Sequence, residues 1–378
     1  MKSLDEYFIR KTEDISFIEI KPDSLVYINN YRIGAEVPLP LIVDELISEI
    51  KEGTAKDEVK VSSIINGMIY LIGADPNFKF FEQYKEILYN YDEKVEEYIL
   101  YIGLKKINEN SFEDGLVWLR ALYNLNSKNI MGKYNYALAL EEKARRLLSN
   151  NDNKKIAMFL NSSTNIFEEI INENPNFDLA YYKLGYHYKN SQQYIKGSLM
   201  WKKYLQLGKD NEMLDEIREN LEAIQDDIIY EEGYSKILSG NPRAGLEKLL
   251  PLKEKYVDWW NLFFMIGLGY RQIGMYKEAI AEFETVLDFV PDQVDALNEL
   301  GLCLAFLGEG NEAINKFTRA IELRPKDYEI RCNRGMAYLQ INDIENAEKD
   351  INTAYEMCDT DEITISCKKE LQKIKNMA

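Results

Sequence analysis

The stretch 260–327 reads WNLFFMIGLGYRQIGMYKEAIAEFETVLDFVPDQ over 260–293 and then VDALNELGLCLAFLGEGNEAINKFTRAIELRPKD over 294–327. Ile266-Gly267, Tyr270, Gly274, Ala279, Phe283 and Pro291 return 34 residues later as Leu300-Gly301, Leu304, Gly308, Ala313, Phe317 and Pro325. The spacing predicts two antiparallel helices in each copy. Where their backbones cross closely, only small residues fit: Gly267 and Gly301 on the first helix, Ala279 and Ala313 on the second. Tyr270, Leu304, Phe283 and Phe317 fill the volume beside the crossing, because interiors pack to crystal-like density. Gly274 and Gly308 supply the positive φ that ends a helix. Pro291 and Pro325 stop the second helix, since proline lacks an N–H and clashes with the preceding turn. A lone hairpin leaves an apolar face wet, so each needs a stacked neighbour.

The small residue of each first helix recurs along the chain like a clock, at Gly67, Gly103, Ala137, Gly185, Gly233, Gly267, Gly301 and Gly335. The intervals are 36, 34, 48, 48, 34, 34 and 34 residues. The extra 14 in the two long intervals is close to four helical turns. That length extends helices without rotating their apolar face. In the first long interval a helix over 130–148 and a polar turn over 149–153 precede a second helix carrying Ser163, Phe167, Ile170 and the terminating Pro175. In the second, Leu214, Ile217, Leu221 and Ile224 predict helix over 211–225, leading into the unit around Gly233. The last unit keeps Gly335, Tyr338, Ala347 and Ala354 but has Asp359 in place of proline. A charged helix follows to the C-terminus and suits the polar cap that a stack of repeats requires.

Leu-Gly, an aromatic or Leu, Ala, Phe and Pro at a 34-residue period resemble the tetratricopeptide repeat family. The resemblance covers roughly 60–361 and is strongest from 178. It implies an all-α, right-handed helical solenoid over 59–361, with units near 60–95, 96–129, 130–177, 178–225, 226–259, 260–293, 294–327 and 328–361. A capping segment at 1–58 and a capping helix at 362–378 would close it. It also implies a non-catalytic scaffold that binds a protein or peptide in a groove lined by the first helices. Carried onto this chain, the groove positions are Tyr134, Tyr182, Tyr230 and Phe264, and four residues further on Leu138, Tyr186, Tyr234 and Leu268. Tyrosine offers contact area with little entropy to lose and a hydroxyl for hydrogen bonding. The same rings would serve equally well to pack neighbouring first helices, or to lie beneath the long helices. The family's basic clamp for a terminal carboxylate is not reproduced: those positions hold Asn298, Glu299, Cys332 and Asn333. An apolar or basic peptide, or a partner helix, suits such a groove better. A second reading is a peptide-sensing regulator whose output changes on binding. The strand-like N-terminus, with no basic recognition helix, counts against it.

Residues 1–58 do not follow the repeat. Ile15 to Ile20 and Leu25 to Ile33 are rich in β-branched and aromatic residues around the turn-forming Lys21-Pro22-Asp23-Ser24, which predicts a β-hairpin. Leu41, Ile42, Leu46, Ile47 and Ile50 predict a short amphipathic helix ending near Gly53. This segment either covers the first repeat or offers a strand edge for docking or dimerisation.

The 378 residues carry 46 Lys and Arg against 64 Asp and Glu, a net charge of −18. Such a field repels phosphates and anionic lipid, so neither nucleic acid nor membrane is the expected partner. The N-terminus shows no apolar signal-peptide core, and no apolar run reaches the ~18 residues of a membrane span. Cys303, Cys332, Cys358 and Cys367 form no C-x-x-C pair and read as reduced thiols of a cytoplasmic protein. The single histidine, His187, occupies a repeat position held elsewhere by Gly269, Cys303 and Ala337, and reads as a packing or surface residue and not a catalyst. Gly267-Leu268-Gly269 lies inside a helix and lacks a third glycine, so it binds no dinucleotide. Residues 150–153 lack the sixth-position Gly and closing Glu of a calcium loop. The acidic pairs Glu141-Glu142, Asp226-Asp227 and Glu231-Glu232 read as solvated helix faces. No enzyme, cofactor or metal site is expected.

Overall fold

In the computed structural model, residues 4–21, 26–29, 31–45, 47, 59–109 and 111–377 are described. The chain divides into two compact units, Met1–Ile217 and Arg218–Ala378. Its architecture is a tandem series of helices with a small sheet region near the N-terminus.

The first unit opens with helix α1 (Leu4–Ile9), a 3-10 turn (Arg10–Asp14) and four short strands: β1 (Ile15–Ile18), β2 (Val26–Ile28), β3 (Tyr31–Ile33) and β4 (Leu39–Ile42). The hairpin anticipated between the two apolar runs is not formed. Strand β2 pairs with β3 inside the second run, Val26 opposite Ile33, while β1 pairs antiparallel with β4, Ile15 opposite Ile42. Leu41 and Ile42 are therefore strand and not helix. The physical reason is burial: all four residues of Leu-Pro-Leu-Ile are shielded. A run covered on both faces shows no alternation, so periodicity alone does not separate it from a helix. Helical backbone begins only at Val43. Residues 22–24, where the turn was anticipated, and residues 46 and 48–53 of the anticipated helix lie outside the described residues.

Helix α2 (Val61–Ala74) has ten buried residues out of fourteen, the signature of a helix enclosed all round. It packs chiefly on α5 (Phe112–Leu125) and β4, and only lightly on α3 (Phe81–Tyr91), its sequence neighbour. Gly67 is small for a reason other than a hairpin crossing. A Cβ there would lie 2.2 Å from the Pro40 carbonyl oxygen of β4. The turn of the β2–β3 hairpin serves α3, because Asn29 donates its side-chain amide to the carbonyls of Asn90 and Tyr91 at 2.8 and 3.1 Å. Those carbonyls belong to a helix end that has no internal donors for them.

Regular hairpins begin with α4 (Val95–Asn108) on α5. Next come α6 (Ile130–Arg146) on α7 (Asn153–Glu173), then α8 (Asp178–Asn190) on α9 (Tyr194–Leu207). The first long interval is accommodated as anticipated, by helices of 17 and 21 residues. Ser163 donates to the Ala137 carbonyl at 2.8 Å where they cross. In the second long interval, α8 and α9 have ordinary lengths and not the extended ones anticipated, while the helix anticipated over 211–225 is present as α10 (Asn211–Ala223).

The second unit pairs α11 (Gln225–Leu238) with α12 (Pro242–Lys255), and α13 (Trp260–Gln272) with α14 (Tyr276–Phe289). Likewise α15 (Val294–Phe306) pairs with α16 (Gly310–Leu323), and α17 (Tyr328–Gln340) with α18 (Ile344–Met357). Helix α19 (Glu362–Met377) packs on α17 and α18, burying Cys367 and Leu371 beside Cys332, Leu339 and Ile351. The turns take a left-handed residue, with φ of 82°, 79° and 83° at Gly240, Gly274 and Gly308.

Candidate partner-binding site

The eight residues assigned to the groove are all half-buried. In the first unit, Tyr134 on α6 packs at 5.7 Å from Phe167 of α7 and 5.2 Å from Phe177. Leu138 borders the same core. Tyr182 and Tyr186, one turn apart on α8, meet edge-on at 5.2 Å. Behind them lie Tyr204, 5.3 Å from Tyr182, and Trp201, 4.9 Å from Tyr186. Their hydroxyls converge on one carboxylate: Tyr182 donates to Glu216 of α10 at 3.1 and 3.3 Å, and Tyr186 donates to it as well. The supernumerary helix thus reaches over this part of the row.

In the second unit, Tyr230 and Tyr234 of α11 stand 5.3 Å apart, and Tyr230 lies 4.6 Å from Trp259. Phe264 of α13 touches Phe283 of α14 at 5.7 Å. With Leu268 it borders the apolar clusters of successive hairpins. The row is therefore partly mortar between helices and partly surface. Burial, with the nearby Glu141 and Asp178 charges, pushes the Tyr134 hydroxyl up to about 12. Burial beside Tyr234 does the same to Tyr230, also about 12. At neutral pH these phenols are uncharged donors.

Three neighbours escaped the sequence reading. Glu216 sits on a helix that was recognised without a target. Trp259 and Tyr256 lie in the connection between α12 and α13, outside any helical register, so no periodic signal marks them. At the former clamp positions, Asn333 donates to Asn298 at 2.9 Å, Glu299 pairs with Arg271 at 2.5 Å, and Cys332 is buried. Burial outweighs Arg271 and raises the Glu299 carboxyl above its ordinary value.

His187 bridges three helices. Its Nδ1 lies 2.7 Å from the Thr164 hydroxyl and its Nε2 3.6 Å from Glu141, with the ring edge-on to Phe167. Asp152 accepts from the Lys155 amide at 3.2 Å and so caps α7. Among the described residues, no group of three or more His, Cys, Asp or Glu is arranged to hold a metal ion. No helix among them is long and apolar enough to cross a membrane.

Helical hairpins stacked in sequence, with a small residue at each crossing, define a helical-repeat protein. A family model described as tetratricopeptide repeat matches residues 306–362, and that match supports reading the stacked hairpins as tetratricopeptide repeats. The repeat-containing protein MJ1428 of Methanocaldococcus jannaschii is 22% identical over 291 residues, which is 68% of this chain and 50% of that one. Photosystem I assembly protein Ycf3 of Prochlorococcus marinus is 29% identical over 97 residues, covering 25% and 56%. The chain spans about half the length of these curated relatives. Among solved structures, the APC/C hetero-tetramer Cut9-Hcn1 aligns over 86% of this chain and 65% of that one, at 11% identity and a TM-score of 0.42.

Proposed function

We propose that this protein is a non-catalytic scaffold that captures an apolar or basic segment of another protein on its first helices, at Tyr134, Leu138, Tyr182 and Tyr186 in the first unit and at Tyr230, Tyr234, Phe264 and Leu268 in the second. Tetratricopeptide repeat proteins act generally as protein-interaction scaffolds. The observation that carries the finer reading is the half-exposure of these eight side chains. Rigid rings that keep one face wet can bury it on a partner with little further loss of entropy. The acidic character of the chain, at −18, favours basic partners over nucleic acid or anionic lipid. We read the compartment as cytoplasmic. The sensor alternative is weaker, because the described part of the N-terminal segment is built into the fold. Phe8, Ile33 and Leu39 share one apolar core with α2, α5 and α6.

A random peptide library panned on the full-length protein tests this. Enriched peptides should be apolar or basic, and the best of them should be weakened five- to tenfold, about 1–1.4 kcal/mol, by Tyr182→Ala if it occupies the first unit or by Tyr234→Ala if it occupies the second. The far-ultraviolet spectrum should stay unchanged. Failure of any peptide to enrich, or equal binding by both variants, would remove these residues as the site.

A further inference from the structure

We infer that the aromatic cluster around Tyr230 in the second unit is a subsite for a lysine or arginine side chain of the partner; the inference rests on the scaffold reading above. Four rings gather there. Trp259 lies 4.6 Å from Tyr230 and 5.3 Å from Tyr256, and Tyr234 follows at 5.3 Å from Tyr230. All four are half-buried, so part of each ring is open to a ligand. Aromatic faces carry negative potential and attract ammonium and guanidinium groups within about 6 Å.

A carboxylate completes the arrangement. Tyr256 donates its hydroxyl to Asp226 at 2.6 Å, and Lys255 pairs with the same carboxylate. These two hydrogen bonds hold the Asp226 carboxyl below its ordinary value, so it is anionic at neutral pH. Helix α11 adds to the field, with Asp226, Asp227, Glu231 and Glu232 against Lys236 alone.

The chain itself demonstrates the chemistry. The Lys255 ammonium lies 5.3 Å from the centre of the Tyr256 ring while paired with Asp226. Its side chain remains 62% exposed, so it is held at the rim and is open to exchange. A partner's cation seated on the exposed part of this ring cluster, beside Tyr256, would take over Asp226 and release Lys255 to water. The occupant is thus a Lys- or Arg-bearing segment with apolar residues flanking the cation, and the exchange makes Lys255 an internal competitor.

The test uses the full chain and two fluorescein-labelled 12-residue peptides, acetylated and amidated, one alternating Lys with Phe and one with Ser in place of Lys. Fluorescence anisotropy should show the Lys peptide binding at least fivefold tighter. Asp226→Asn and Trp259→Leu should each remove most of that preference. Lys255→Ala should tighten the Lys peptide two- to fivefold, more than Lys326→Ala, which alters net charge equally at a distant surface position. Asp226→Asn is isosteric and guards against misfolding of the tryptophan variant. If both peptides bind wild type alike, or if Lys255→Ala matches Lys326→Ala, the cation subsite is refuted while the scaffold reading stands. If neither peptide binds up to ~1 mM, both readings fall.

Discussion

Gln192 and Asn342 hold backbone angles that glycine holds at positions 240, 274 and 308: φ is 58° and 63° at the first two, against 79° to 83° at the glycines. All five occupy the same place, the turn between the two helices of a unit. A Cβ added at the three glycines would meet nothing within 4 Å, so crowding does not select glycine there; the left-handed backbone does. Glutamine in that conformation is disfavoured by roughly 1–2 kcal/mol. Gln192→Gly should therefore stabilise the first unit by about 1 kcal/mol after the entropy that glycine loses on folding, read as a higher urea midpoint with unchanged slope. Gly301 is the opposite case. A Cβ there would sit 2.7 Å from the buried Phe317 ring, and Gly301→Leu should cost ~1–3 kcal/mol or more through overpacking. A melting temperature equal to wild type would disprove that contact. Gly274, Gly301 and Phe317 were legible from the sequence because each recurs at a fixed period. Gln192 was not, since nothing in its side chain announces the φ it is forced to adopt.

At the scale of elements, Glu96 shows how hairpins are joined. It sits in the first turn of α4 and accepts from Tyr89 of α3 at 2.6 Å, and from Asn126 and Asn129, after α5, at 2.9 and 2.7 Å. Burial alone would raise its carboxyl, but these hydrogen bonds and the Lys85 charge hold it below the ordinary glutamate value. A carboxyl depressed in the folded state stabilises above its unfolded pKa, and that contribution is lost as pH falls through the folded value. Glu96→Gln should cost about 1 kcal/mol at pH 7. The gap from wild type should narrow below about pH 4, as urea titrations at both pH values would show. Helix α1 is anchored more strongly. Phe8 is fully buried, with the Arg120 guanidinium 4.3 Å from its ring. Arg120 in turn donates to the Gly73 carbonyl at 2.8 Å and to Asp5. Phe8→Ala should destabilise the first unit by about 3–5 kcal/mol, seen as lost amide-exchange protection in α2 and α5. None of this was visible beforehand. Leu4 to Ile9 is too short for periodicity, and the pairing of β1 with β4 joins stretches whose sequences name no partner. Helix α10 was half legible: Leu214, Ile217, Leu221 and Ile224 gave its existence, but not the tyrosines that Glu216 would meet.

Over the whole chain, legibility follows how far apart the touching residues lie. Where small and large residues meet across one hairpin, as Gly267 with Phe283 or Gly335 with Ile351, a repeated spacing reveals both. Where they meet across a hundred positions, one copy of a sequence has no period to show. The aromatic clusters belong to both classes: repeat positions marked Tyr182 and Tyr230, while Trp259, packed against Tyr230, stands between repeats. For the newborn chain the same division decides timing. In the second unit every main helix pair can close as soon as its second helix leaves the ribosome. Asp5 and Arg120 are 115 positions apart, so at ordinary elongation speeds Phe8 stays bare for on the order of ten seconds before its cavity exists. Its ring is then an early handle for chaperones, and a protein whose ends are so differently dependent on patience would be most vulnerable while only its first third has been made.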